Sequence, residues 1–365
     1  MRRARFPWVA AQARAIVALA ELARIPALAP AVEHLIAEPR AGDADVAGVP
    51  TTLVRPARRG PWPALVFVNG VTARGRHHPE VQRLARALAR AGYVTAVPDL
   101  PGLSSGELTQ RLVRAAVAVT AETAARTDVL GGRAGLFGVS LGASVALLAA
   151  EDPELRDSVS VVGGLAPYAN LANVLRLATT GTYADRGRLL EYRASETLTL
   201  VAARSIVAGL PEQPDRGRVS KLLPAITDEV HDPLHDLETL RPGEFTRPAR
   251  TVVELLVNRD PDRFDELYAA LPTHMREEIE RLSPLTGAAR LRAPVELASA
   301  PRDGYFPLEE SRALLRVLPA ARLTVTSALA HAQPRLSLRA LADFARLDLF
   351  AARILKAAAV SPGSG

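Results

Sequence analysis

The part of this sequence best equipped for covalent chemistry is a serine between two glycines, Gly138-Val139-Ser140-Leu141-Gly142. A serine hydroxyl is a weak nucleophile at neutral pH and needs a base beside it. The Gly-x-Ser-x-Gly pattern gains meaning from its setting. When a buried strand runs into it and a helix leaves it, the sharp turn between them holds the hydroxyl above a sheet. Gly135 to Val139 reads as such a strand, and Leu141 to Ala150 as such a helix. The backbone N–H of Leu141 and the positive helix end then face the negative charge that develops on an attacked carbonyl oxygen. A chance Gly-Ser-Gly turn is the plainer alternative, and it leaves the flanking strand and helix unexplained.

Seven histidines are available as the base. His34 falls in an N-terminal helical region, and His231, His235 and His274 fall in a long mid-chain segment. His77 and His78 follow the loop after Val68. Only His331 comes just past the last strand-like run, where a loop at a sheet's carboxyl edge reaches the serine; a buried structural histidine is its alternative role. The third member is a carboxylate that orients the imidazole by bonding its far nitrogen. Asp303 directly follows the strand-like run Pro294 to Ser299, whereas Glu309 and Glu310 fall on the next helix. A solvated turn aspartate is the plainer reading of Asp303. The chain order Ser140, Asp303, His331 is one that a known triad fold uses. A second oxyanion donor is expected from Asn69-Gly70-Val71-Thr72, with Val71 ahead of Thr72, and Gly70 permits close approach.

Strand and helix signals alternate around these residues. Thr51 to Arg55, Pro63 to Val68, Val94 to Pro98, Ser158 to Val162, Pro294 to Ser299 and Arg322 to Ser327 read as further strands. Val81 to Ala91 (ended by Gly92), Leu108 to Thr127, Leu308 to Val317 and Leu336 to Ala358 read as helices. The alternation predicts an α/β protein with a mostly parallel sheet flanked by helices. It breaks from about Tyr168 to Ala289, which is mostly helical and loop-like; Thr251 to Val257 fits strand or helix. The expected division is an N-terminal helical segment and linker (1–48), a first core part (49–168), a helical cap (169–289), a second core part (290–360) and a tail (361–365). Within the first, Glu38 to Val49 reads as a turn-rich linker.

Composition narrows the partners. The chain has 365 residues, 48% hydrophobic and 23% charged, as an ordinary folded protein does. Its net charge of +6 comes almost wholly from arginine, since Lys221 and Lys356 are its only lysines. The arginines are scattered among acids and form no basic, aromatic face, so no nucleic-acid partner is expected. With no cysteine, thiolate catalysis, disulfides and cysteine-bound metals are excluded. Asp228, Glu229, His231, Asp232, His235 and Asp236 invite a metal reading, but Pro233 argues for a loop, and a solvated acidic loop is preferred. Arg14, Glu21 and Arg24 interrupt the apolar N-terminal stretch, so no transmembrane segment is expected there. Ile16, Leu19, Ala20 and Ala23 fit an amphipathic helix packed on the protein's own surface, with contact to a membrane surface as the alternative. The default location is cytoplasmic.

On these motifs the chain resembles the α/β-hydrolases, nearest to their dienelactone-hydrolase-like or esterase-like branch. The resemblance covers about Thr51 to Tyr168 and Ala289 to Ala345. It includes Asp99-Leu100-Pro101-Gly102-Leu103-Ser104, similar to the family's Asp-x-x-Gly-x-Ser segment, and Asp303 with Pro307 four residues on. Asn69 departs from the family's common His-Gly, and Ala332 from the common aromatic after the histidine. The resemblance implies an α/β-hydrolase fold with a cap between the sixth and seventh core strands. The expected activity is cleavage of a small-molecule carboxylic ester, or an amide or thioester, through an acyl-serine, with no cofactor. Acyl transfer by the same triad and a non-catalytic binding protein on this fold are the rival readings. The cap's apolar residues, among them Val174, Leu175, Leu189, Leu190, Leu255, Leu256 and Val257, either pack it or line a pocket.

Overall fold

The computed structural model describes residues 7–22, 29–211, 214–227, 229–239, 245–318, 320–329 and 338–359. Eight strands form the main sheet: β1 (Arg40–Val46), β2 (Val49–Arg55), β3 (Trp62–Val68), β4 (Val94–Pro98), β5 (Val129–Val139), β6 (Val159–Leu165), β9 (Val295–Ser299) and β10 (Ala321–Val325). A separate hairpin joins β7 (Thr182–Asp185) to β8 (Arg188–Glu191). The sheet order is β1-β2-β4-β3-β5-β6-β9-β10. β2 runs antiparallel to both β1 and β4, and every pair from β4 across to β10 is parallel. The chain winds outward from β3 in one direction to β4, then crosses to β5 and continues the other way. That reversal between β3 and β5 opens a crevice at their carboxyl ends, where open α/β sheets bind ligands.

Parallel strands are apolar on both faces because helices cover both. Leu112, Ala116, Val145 and Leu147 from the helices Gln110–Ala125 and Leu141–Ala150 belong to one core layer. On the other face Val81, Ala85 and Leu88 of the helix Pro79–Arg90 join Phe350 and Ile354 of the C-terminal helix Leu338–Ala358. The strand Val94–Pro98 and the helices Leu141–Ala150 and Leu308–Val317 have the bounds read from the sequence, and Thr251 to Val257 belongs to a helix, Arg247–Val257.

Glu38 to Val49 differs from the expected linker, since it contains β1. This edge strand, Arg-Ala-Gly-Asp-Ala-Asp-Val, is exposed along most of its length and so carries no buried alternation. Its two-residue turn, Ala47 (φ 54°) and Gly48 (φ 75°), has both residues in the left-handed region, as tight hairpins require. The hairpin β7–β8 was equally silent in the sequence, being two four-residue strands turned at Arg186 and Gly187.

The N-terminal helix, Pro7–Leu22, packs on the C-terminal helix and on Pro79–Arg90. Its buried face is Ala11, Ala15, Ala18 and Ala20, while Ile16 is 48% exposed. Small side chains on the inner face let the helices approach. Glu21 and Arg90 pair at 2.8 Å with both side chains only 10% exposed, and Gln12 donates to Asp348. Among the described residues no helix is long and apolar enough to cross a membrane.

Candidate active site

Ser140 sits between the end of β5 and the helix Leu141–Ala150, with φ 54° and ψ −126°. Such a conformation is strained for a residue with a side chain and persists only where its surroundings force it. Here they do. A Cβ on Gly138 would lie 2.2 Å from the carbonyl oxygen of Gly142, and one on Gly142 would lie 2.3 Å from that of Val68. The helix therefore starts in direct contact with the β3 end, and only glycine fits at both positions. The Ser140 N–H donates to the Leu165 carbonyl at 2.7 Å, which ties the turn to β6.

Ser140 opens onto a cavity of about 460 Å³. Leu141, Val71 and Asp303 line it too, so four of the five residues singled out from the sequence converge there, joined by the alternative donor Thr72. The fifth, His331, lies outside the described residues. Leu329, two positions earlier in the chain, lines the cavity. Of the histidines within the described residues, His78 alone reaches this cavity, and its Nδ1 accepts the Glu80 N–H at 3.3 Å as the cap of a helix start.

Leu141 is the first residue of its helix, so its N–H has no partner within the helix and stands at the positive end of the helix dipole. Gly70 brings the β3 loop close; a Cβ there would be 3.6 Å from the Cβ of Ser140. Asn69 is buried and its Nδ2 donates to the Gly70 carbonyl at 2.7 Å, which braces the loop. Arg76 was not anticipated. It pairs with Asp43 at 2.6 Å and Asp99 at 3.3 Å and donates to Thr52 Oγ1 at 3.0 Å. With its side chain 11% exposed, it pins the loop after β3 to the loop after β4 and to the edge strands. Thr52 and Arg76 hold the Asp43 carboxyl below its ordinary value, the Thr52 hydrogen bond most of all.

Asp303 follows β9 and its Oδ1 accepts the N–H groups of Tyr305 at 2.8 Å and Phe306 at 3.3 Å. This turn fixes the carboxyl while leaving Oδ2 to another donor. Tyr192, also missed from sequence, donates its hydroxyl to the Asp303 backbone carbonyl. Burial, reinforced by the nearby Asp303 charge, pushes the Tyr192 phenol up to about 12, so it stays a donor. Glu309 and Glu310 turn away. Glu309 accepts from Tyr183, and Glu310, buried, accepts the N–H groups of Ala169 and Asn170 and the Asn173 amide.

The segment between β6 and β9 contributes Thr197, Leu198 and Val201, from the helix Glu196–Ala208, and Ile226 and Thr227 to the cavity wall. Val174, Leu175, Leu255 and Leu256 are instead buried in the core shared with one helical layer of the sheet, and Leu189 is 48% exposed. In the acidic stretch, His235 pairs with Asp232 at 3.4 Å, both side chains being largely exposed, and Asp228 lies outside the described residues. Among the described residues no group of three potential ligands converges on a metal site.

The architecture matches known structures. The Pyrococcus horikoshii acylaminoacyl peptidase superposes with a TM-score of 0.52 at 13% identity, over 93% of this chain and 45% of its own. An acylaminoacyl peptidase in complex with Z-Gly-Gly-Phe-chloromethyl ketone gives 0.50 at 13% identity, over 88% of this chain and 42% of its own. No family model and no curated protein sequence matches the chain. At this identity the likeness shows the fold, an α/β-hydrolase fold, and the chain spans under half the length of the peptidases it matches.

Proposed function

We propose that the protein is a serine hydrolase that cleaves a carboxylic ester through an acyl-serine intermediate. The observation that carries this reading is the forced backbone of Ser140, at φ 54° and ψ −126°, facing a cavity that Asp303 also lines. A protein that used the fold only as a scaffold would have no use for that strain.

In this reading His331 takes the Ser140 proton as Oγ attacks the carbonyl carbon, and Asp303 holds the imidazole in the required tautomer. The N–H groups of Leu141 and Val71 bind the oxyanion. His331 then returns the proton to the leaving alkoxide as the C–O bond breaks. Water, deprotonated by the same imidazole, attacks the acyl-serine, releases the acid and restores the serine. The segment 169–289 acts as a cap, with Leu198, Val201 and Ile226 giving the pocket an apolar roof that excludes water.

The test compares turnover of p-nitrophenyl butyrate with that of an N-acyl amino acid p-nitroanilide by the wild-type chain and by Ser140→Ala. Ester turnover that exceeds anilide turnover and disappears in the variant supports the reading. Preferred anilide cleavage would replace the ester by a peptide-like substrate, and ester turnover that survives in Ser140→Ala would contradict the acyl-serine.

A further inference from the structure

Behind the nucleophile lies a second cavity, of about 520 Å³, within the helical layer formed by Pro7–Leu22, Pro79–Arg90 and the C-terminal helix. Gly70, Val81, Val139, Leu165 and Leu329 line both this cavity and the one that holds Ser140. The two spaces therefore adjoin, with these five residues between them. The second is walled by Leu65, Phe67 and Phe137 of the sheet and by Leu84, Leu347 and Ile354 of the helices. Asn69 and Glu80 supply its polar side chains among the described residues, and Glu80 is paired with Arg83 at 2.7 Å.

The C-terminal helix closes on the sheet at one end and parts from it at the other. A Cβ on Gly163 would lie 2.6 Å from Ile354, and one on Gly135 would lie 3.5 Å from Ala358. Toward the carboxyl edge, where β5 and β6 end at Val139 and Leu165, Leu347 and Ala351 border open space. The volume falls within the range of small-molecule sites, and a lining with so little polar surface suits hydrocarbon better than water.

We propose that this chamber receives the hydrocarbon chain of a long, unbranched acyl ester whose carbonyl is held at Ser140. The acyl chain passes the shared rim of Val81, Leu165 and Leu329 and lies along Leu84, Leu347 and Ala351, while the leaving group stays in the first cavity under Leu198 and Ile226. The proposal rests on the serine-hydrolase reading and deepens it by assigning the acyl side of the substrate. Each methylene drawn from water into such a chamber strengthens binding roughly fourfold, so chain-length selectivity is steep until the chamber is full.

The test fills the chamber without touching the reacting groups. Ala351→Phe and Leu347→Phe place a ring on the same helix face, one turn apart. kcat/KM is measured for p-nitrophenyl decanoate and p-nitrophenyl acetate with the wild-type chain and both variants. The expected result is wild-type preference for the decanoate and its loss by about tenfold or more in the variants, since several methylenes are displaced, with acetate turnover nearly unchanged. Unchanged decanoate preference in both variants overturns the chamber and leaves the hydrolase standing. If Ala351→Phe loses both activities together, Leu347→Phe decides by the same criterion, and parallel loss there also overturns the chamber. A wild-type chain that turns over neither ester and takes no fluorophosphonate on Ser140 overturns the hydrolase reading, and the chamber with it.

Discussion

Where the end of β3, Val68 to Gly70, meets the turn Gly138 to Gly142, the backbone passes so close to itself that single atoms decide the structure, whereas from Leu171 to Ile279 apolar side chains do. A Cβ on Gly142 would meet two carbonyl oxygens, at 2.3 and 2.4 Å, but Gly187 and Gly217 in the inserted segment have open space around them. The segment coheres instead through Leu198, Leu255, Leu256, Phe264 and Ile279, all buried in a common core with the sheet's helix-covered face. One region is over-determined by sterics and cannot drift without losing the geometry of Ser140. The other is held by area and volume, which many residues satisfy. On the proposed function, chemistry sits on the rigid part, and the part that tolerates substitution shapes the space above it.

The contrast can be broken at four points, in falling order of effect. His331→Ala and Asp303→Asn should each cut ester turnover by about 10⁴-fold while leaving far-ultraviolet circular dichroism unchanged. His78→Ala should be nearly silent; equal loss there, with His331→Ala harmless, would transfer the base to the residue that caps the helix Pro79–Arg90. Gly142→Ala should cost about 3 kcal/mol or more in chemical denaturation, because backbone rather than a movable side chain opposes the new methyl. A cost near zero would show that the turn is looser than its contacts imply. Leu198→Phe in the inserted segment should leave stability within about 1 kcal/mol, as expected for a site beside empty space, and change the choice of leaving group. Leu255→Ala should do the reverse, losing stability without altering selectivity, since Leu255 is fully buried and does not line the cavity.

A pH-dependent effect belongs to the seam between the regions. Glu151 follows the helix Leu141–Ala150 and is buried against Gly287 and Arg290. Burial pushes its carboxyl up to about 8 from an ordinary 4.5, against the opposing pull of Arg290. The protonated form is favoured in the folded state, so this contribution to stability is complete below pH 4.5 and is lost as pH rises to about 8. Glu151→Gln should flatten the fall in Tm across that window. Parallel curves for variant and wild type would mean that the Arg290 pair keeps Glu151 charged.

Much of the sheet and the elbow was legible because each signal was local. Val94–Pro98 is buried from end to end and nearly all apolar, and Ser140 stands between glycines at a strand-to-helix junction. β1 was not legible, since an edge strand that exposes Arg40, Asp43 and their neighbours shows no buried face. Arg76 and Tyr192 were not legible either. Their roles depend on partners far along the chain, Asp99 and Asp43 for one and Asp303 for the other, that only the folded chain brings near. Leu198 and Leu255 look alike in sequence, and which lines the cavity is set by how their helices rotate against each other.

The central claim is that Ser140 is the covalent centre. Peptide mapping by mass spectrometry after reaction with a fluorophosphonate tests it most directly. The expected result is one adduct, on the peptide that carries Ser140, absent from Ser140→Ala and slowed in His331→Ala. An adduct on another residue, or one undiminished in Ser140→Ala, would contradict the account.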